Sequence, residues 1–319
     1  MKNIYLDEKE RAKHVLATDI AGNWQRIWGE RYEPVWHREV KGYHFFGRQW
    51  GVSGGEMAKF LAQKSRTLRL AKGDRPFFLL SHVRSRGTLN NAAARLHNAV
   101  GFFGHWHNSA ANWNQIYFCD YPCIQIPALK PTGRLGFGGD AYITRARLEG
   151  QAKAGRAKQG YVVRVYDDML AIERREFGEG GSLGADWLMP LGRRDPHPFT
   201  KEELTKAIGE PQFRRGATLE VDAAERLRVR IPLADGNPAS RVYAYEIAVL
   251  GEERSHRLLK AVYAAGCSLG IGHEPDGGVT ELSIDNAELP SGKSLLLAVR
   301  PLSSLGTSGK PIATTISRS

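Results

Sequence analysis

Three histidines stand where chemistry could be done. His82 follows the apolar run at 76–81, PFFLLS, and His105 and His107 follow the shorter run at 100–103, VGFF, within Gly104-His105-Trp106-His107-Asn108. Neutral imidazole is a ligand for zinc, iron and manganese. A His-x-His pair in a loop can turn both rings into one pocket, and Gly104 lets the chain bend sharply before them. One histidine after a strand is an ordinary polar turn residue. Two such turns, each behind a buried strand, point to a metal site at His82, His105 and His107. Arg84 and Arg86 follow His82 closely, and Asn108 and Asn112 follow the pair. These are either contacts to an anionic substrate or plain loop and capping residues. Cys119 and Cys123 flank Asp120-Tyr121-Pro122. With no second pair beside them they read as buried free thiols rather than zinc ligands.

The elements that would position these residues are legible as patterns. A continuous apolar run bounded by turn residues is the mark of a strand buried on both faces. Ligands gather at the ends of such strands in α/β folds. Residues 40–50, VKGYHFFGRQW, read as one further strand. Ser53 with Glu56 three residues later is a capping box, opening a helix with Met57, Phe60, Leu61 and Leu68 on one side and Gly73 at its stop. A short helix is expected over 89–99, with strands at 115–119, 123–127 and 161–166. Residues 1–34 are polar and partly helical in pattern, with Trp24, Ile27 and Trp28 spaced for one face. The stretch 193–199, RRDPHPF, marks a boundary, and Thr200 caps a helix over 200–208. Beyond Pro211 the period changes to two. Leu227, Val229 and Ile231, then Tyr243, Tyr245, Ile247 and Val249, then Leu295, Leu297 and Val299 alternate with smaller or polar residues. Short strands separated by turns predict a small antiparallel sandwich. The expected organisation is two domains, 1–195 and 208–319.

Composition bounds the rest. The chain has 319 residues, 42% hydrophobic and 25% charged, which is ordinary for a globular protein. No apolar run approaches the roughly 18 residues of a membrane span. The charged opening, MKNIYLDEKE, does not read as a signal peptide. Three cysteines exclude a disulfide scaffold. The net charge is +11, densest over Arg134, Arg145, Arg147, Lys153, Arg156, Lys158 and Arg164. A basic surface attracts anions. Without a nucleic-acid-binding motif the stretch reads as a solvated face, so nucleic acid is not an expected partner.

Ser81-His82 followed by Gly104-His105-Trp106-His107 resembles the last two motifs of the calcineurin-like metallophosphoesterases, a single His after a strand and then Gly-His-x-His. The likeness covers about residues 30–180. It implies an α/β fold, a partial calcineurin-like layered β-sandwich flanked by helices, followed here by a small all-β sandwich similar to a fibronectin type III module. It also implies hydrolysis of phosphate mono- or diesters by metal-activated water at divalent Mn, Fe or Zn. In that pattern His82 and His105 bind one ion and His107 the other, and the substrate is a phosphorylated molecule held near Arg84, Arg86 and Asn108. The sequence departs from the family at the front. The Asp-x-His, Gly-Asp-x-x-Asp and Gly-Asn-His motifs do not appear upstream of His82, and Gly22-Asn23-Trp24 matches the third only in its first two letters. The complete family site holds two ions. Three histidines without a bridging carboxylate suffice for at most one, since three His ligands can hold a catalytic zinc. The expectation is a truncated and impaired phosphoesterase, its front half carried by an upstream segment or a second chain. Its place is the cytoplasm if Met1 is the true start, or outside if a leader is missing. The alternative is a non-catalytic binding protein acting through the C-terminal sandwich.

Overall fold

The computed structural model describes residues 33–49, 51–73, 75–83, 87–96, 98–104, 109–118, 120–127, 148–149, 158–178, 181–191, 196–236, 242–251, 257–267 and 279–317. The chain folds mainly into β-sheets, with three α-helices among these residues, an α/β arrangement of sandwich type.

The stretch read as one strand at 40–50 holds the turn and the second strand of a hairpin. β1 (Val35–Val40) and β2 (Tyr43–Arg48) pair antiparallel about Lys41 and Gly42, with φ of 52° and 79°. Positive φ at both central residues is the geometry that matches the twist of two-residue hairpins. A lysine in the first of those positions hides the turn from a composition-based reading. α1 (Gly54–Leu68) opens as expected. Ser53 accepts the Glu56 amide and the Glu56 carboxylate returns to the Ser53 backbone. Met57 and Leu61 are buried, and Phe60 and Leu68 pack at the margin. The helix ends one turn before Gly73, at Arg69 in the left-handed region (φ 52°), and a 3₁₀ turn carries the chain on to Gly73.

β3 (Phe77–Ser81), α2 (Thr88–Ala94), β4 (Ala99–Phe103), β5 (Ile116–Phe118) and β6 (Pro122–Gln125) complete a six-stranded sheet of order β1-β2-β3-β4-β6-β5. β2, β3, β4 and β6 run parallel, and antiparallel β1 and β5 close the edges. The run PFFLLS shows why parallel strands read as unbroken apolar text. Phe77 and Leu79 face α1 and α2 beside Phe46, Met57, Leu61 and Leu89. Phe78 and Leu80 face the opposite side, beside Phe102, Ile124, Leu170 and Trp187. Each fully buried Phe or Leu contributes roughly 1.5–3 kcal/mol relative to exposure, so both faces of this sheet hold the layers together.

β7 (Leu148–Glu149) is treated below. β8 (Gln159–Val165), β9 (Met169–Glu176) and β10 (Trp187–Pro190) form an antiparallel sheet of order β10-β9-β8. It supplies the layer against Phe78 and Phe102. The result is helices, a six-stranded sheet and a three-stranded sheet in succession. α3 (Lys201–Ile208), capped by Thr200 through the Glu203 amide, lays Leu204 into the same apolar layer.

After β11 (Gln212–Phe213) come β12 (Glu220–Asp222), β13 (Arg226–Pro232), β14 (Ala234–Asp235), β15 (Ala244–Leu250), β16 (Arg257–Tyr263), β17 (Val279–Asp285), β18 (Ser294–Leu302) and β19 (Ile312–Ser317). A sheet of order β12-β13-β17 faces one of order β19-β18-β15-β16, and β11 pairs with β14. The period-two residues read from the sequence are its core. Leu227, Val229, Ile231, Tyr245, Ile247, Val249, Leu297 and Val299 are fully buried. β7 adds parallel to the β16 edge, so two residues from before the sequence boundary cap this sheet. The β18–β19 loop reaches back. Thr307 Oγ1 donates to the Gly209 carbonyl at 2.7 Å, and Leu305 packs on the apolar layer around Trp187. Among the described residues no helix is long and apolar enough to cross a membrane.

Candidate functional site

The C-terminal ends of β2, β3, β4 and β6 open onto one cleft of about 580 Å³. Parallel strands place their ends, and the loops leaving them, on one edge of the sheet, where ligands bind in open α/β folds. Arg48 and Gln49 come to the cleft from β2, Ser81 and His82 from β3, Gly104 from β4, and Ile126 and Pro127 from β6. His82 is exposed there. The two histidine-bearing turns leave the sheet side by side. Ser81 pairs with Phe103, and the Gly104 amide donates to the Ser81 carbonyl at 3.1 Å. A Cβ on Gly104 would stand 3.4 Å from the His82 carbonyl oxygen. The bend after β4 therefore lies in van der Waals contact with the His82 turn.

His105, His107, Asn108, Arg84 and Arg86 lie outside the described residues, as does Cys119. The residues on both sides of 105–108 are fixed. Upstream, the Gly104 carbonyl accepts from Gln125 Nε2, and the Gln125 carbonyl accepts from Tyr161 Oη at 3.0 Å. Downstream, Ser109 Oγ donates to Gln159 Oε1 at 2.8 Å, and the Ala110 amide donates to the same oxygen at 2.9 Å. Arg174 completes the anchor. It is fully buried between Trp187 and Trp113, with its guanidinium carbon 4.7 and 5.6 Å from the ring centroids. It donates to the Ala111 carbonyl at 3.0 Å, to Ala110 at 3.4 Å and to Ala185 at 2.8 Å. Burial pulls its pKa down to about 10 against the favourable field of Tyr161 and Asp186, and burial pushes the Tyr161 phenol up. Asn112 is buried and is not part of the cleft lining.

Arg48 does for the His82 turn what Arg174 does for residues 110–111. Its Nε donates to Ser81 Oγ at 2.8 Å, Nη1 to the Val52 carbonyl at 2.8 Å and Nη2 to the Val83 carbonyl at 3.3 Å. Burial lowers its pKa as well. Sequence reasoning missed Arg48, Gln125, Gln159 and Arg174. The one available signal was Arg48, a cation at the end of the GYHFFGR strand. The buried Arg174 sits inside IERRE, where charge patterning reads it as exposed.

Elsewhere, Cys123 and Cys267 are buried, and Cys123 Sγ donates to the Tyr121 carbonyl at 3.4 Å. His37 and His44 meet across the β1–β2 hairpin with Nε2 and Nδ1 3.1 Å apart, and His37 stacks on Phe46. Among the described residues no group of three or more His, Cys, Asp or Glu is placed to hold a metal ion. Of the basic stretch, Arg164 is paired with Glu173 at 2.8 Å, and Arg134, Arg145, Arg147, Lys153 and Arg156 lie outside the described residues.

Neither a protein-family model nor a curated protein matches this sequence. Solved structures overlap it at low similarity. The chicken interferon gamma receptor alpha chain aligns at 11% identity and a TM-score of 0.24, covering 47% of this chain and 64% of that one. A catalytically inactive OgpA from Akkermansia muciniphila, in complex with an O-glycopeptide substrate, aligns at 14% identity and a TM-score of 0.22, covering 37% and 32%. The spore cortex lytic enzyme SleM of Clostridium perfringens aligns at 12% and 0.23, covering 83% and 75%. This chain spans less than two thirds of the first two. Overlaps of this size assign neither fold nor activity.

Proposed function

We propose that residues 33–191 carry the histidine half of a metal-dependent phosphoesterase site of the calcineurin-like kind, acting on phosphate mono- or diesters. One observation carries the reading. The turns holding His82 and Gly104 leave adjacent parallel strands into one cleft, hydrogen-bonded to each other at 3.1 Å. His105 and His107 follow Gly104 directly in sequence. The succession of helices, large sheet and second sheet also supports it, since the family resemblance implies a layered β-sandwich flanked by helices. The split of the C-terminal sandwich into three strands facing four supports a fibronectin type III-like module, and with it domains divided near 195–208.

The donor chemistry fits a divalent ion. Imidazole suits zinc, iron or manganese, and His82 is exposed where it lines the cleft. His82, His105 and His107 would hold it, where it would lower the pKa of a bound water and offset phosphoryl charge. The chain's own residues do the positioning. Arg48 fixes the turn before His82, and Gln125, Gln159 and Arg174 fix the two ends of the His-x-His segment. Arg84, Arg86 and Asn108 are the expected contacts to the phosphorylated substrate. The family's front motifs do not appear in this sequence, so the three histidines by themselves would load at most one ion.

Elemental analysis of the purified chain tests this beside a His105→Ala, His107→Ala double variant. About one ion per chain in the first and none in the second is expected, with hydrolysis of an aryl phosphate following the metal. Metal-free protein after growth and refolding in zinc, iron and manganese would sink the reading.

A further inference from the structure

Arg48 carries more charge than its bracing role requires. Its three acceptors are a hydroxyl and two backbone carbonyls, all neutral. Among the described residues no carboxylate pairs with it. A guanidinium has five N–H donors, so two remain after those three bonds. A half-buried cation with neutral partners only is costly unless a counter-charge arrives. Arg174 has a similar partner list, but it is fully buried and sealed between two indoles, so nothing can reach it. Arg48 differs in the one respect that matters for binding: it lines an open cleft, beside His82. Its position is set by the three bonds before any ligand comes, which removes much of the ordering cost of an anion contact.

Beside the polar Gln49, Ser81 and His82, the cleft has an apolar wall. Trp36, Leu80, Phe102, Ile126 and Pro127 line it, and Ile126 is 39% exposed. A site for a free, fully hydrated anion has no use for such a wall, whereas an anion joined to an apolar group does. We infer that Arg48 is an anion-binding residue of this cleft and that its ligand is the phosphoryl group of an ester whose alcohol part is apolar or aromatic. The choice of phosphoryl among oxyanions rests on the phosphoesterase reading; the anion site itself does not.

Calorimetric titration of the full chain in chelator, with phenyl phosphate and with inorganic phosphate, tests both parts without any metal. Phenyl phosphate should bind more tightly than inorganic phosphate by about tenfold, as burial of a ring against the apolar wall implies. Arg48→Met should weaken both by about tenfold or more, the worth of a hydrogen bond to a charged group. Since Arg48 also braces a turn, Ile126→Asp is the second variant. It changes an exposed position and sets a carboxylate in the cleft, and it should weaken both ligands while the unfolding midpoint stays put. Unchanged phosphate binding in either variant, with native near-UV circular dichroism, overturns the anion site. Equal affinity of the wild type for the two ligands overturns the apolar alcohol. Anion binding that persists in a protein unable to load metal would sink the enzyme reading and leave this one standing.

Discussion

The layered body and the C-terminal sandwich treat their inner cations in opposite ways. In the sandwich, arginines stand in exposed ladders and meet carboxylates. Arg226 pairs with Asp285 at 2.8 Å, and Arg230 with Glu220 at 2.7 Å and Glu281 at 3.4 Å. Its more enclosed cations are also matched, Lys260 by Glu288 at 2.6 Å and Arg300 by Glu246 at 2.6 Å. In the layered body, the inner arginines Arg48 and Arg174 bond to neutral oxygens only. Both hold turns next to the histidine segments. Matched charges on a surface add little to stability and ask for no ligand. Unmatched guanidiniums inside a fold either need a sealed aromatic box, as Arg174 has, or leave a field for an anion, as Arg48 does. The difference supports the proposal that the cleft, rather than the sandwich, is the place to look for a ligand.

The sequence allows the two regions to be watched separately, because all seven tryptophans lie in the layered body's part of the chain, Trp187 being the last. The largest expected effect is that of Trp187→Ala. It removes the wall of the Arg174 box and a fully buried ring from the inter-sheet layer, and should cost about 3–5 kcal/mol. Denaturant unfolding followed by fluorescence of the remaining tryptophans should move to lower midpoint. The far-UV transition of the sandwich should not. If both move together, the two regions unfold as one unit and the contrast drawn above is a surface property only. Gly309→Ala probes that joint directly. A Cβ there would stand 1.7 Å from the Pro211 carbonyl oxygen and 3.0 Å from Pro301 Cγ, so the β18–β19 loop must shift, at about 1–3 kcal/mol for overpacking. The expected outcome is two separated transitions where the wild type shows closer ones.

What was legible in the sequence follows the same division. Of the sandwich strands, β13, β15 and β18 were readable from their period-two apolar residues. Leu227, Val229 and Ile231 between exposed arginines state the period outright. PFFLLS was readable because both faces are buried, and the caps at Ser53 and Thr200 are local chemistry that needs no tertiary context. The β1–β2 turn was hidden because Lys41 adopts positive φ without a composition signal. Of the candidate site, His82 and Gly104 come together at the cleft as their strands' adjacency requires. The supports were not legible. Gln125, Gln159 and Arg174 are polar letters in stretches that patterning sends to solvent, and only the packing of the second sheet on the first turns them inward.

Alkaline titration sharpens the comparison by a smaller amount. Burial pushes the Tyr245 phenol in the sandwich up to about 12. Between the unfolded value near 10 and 12 the folded chain holds more protons, so stability falls as pH rises, by at most ~1.4 kcal/mol per pH unit for one group. Tyr161 in the layered body, raised also, pulls the same way. There Arg174 opposes it. Its folded pKa of about 10 lies below its unfolded value, so between the two the folded chain holds fewer protons and stability rises with pH. Unfolding midpoints at pH 9.5, 10.5 and 11.5 should therefore drop for the sandwich and stay nearly level for the tryptophan-reported body, and Tyr245→Phe should flatten the sandwich's decline. Parallel declines would show that Arg174 keeps its proton.

The smallest effect is the most diagnostic of the surface half of the contrast. Arg230 stands between Glu220 and Glu281 on the outer face of β13, with its side chain half exposed. Exposed pairs gain little over their hydrated partners, and salt screens what they gain. Arg230→Ala should leave the unfolding midpoint of the sandwich unchanged within error, at low and at high salt. A clear loss at low salt that vanishes at high salt would mean that the ladder acts as a network. In that event the sandwich, like the layered body, would depend on how its arginines are placed.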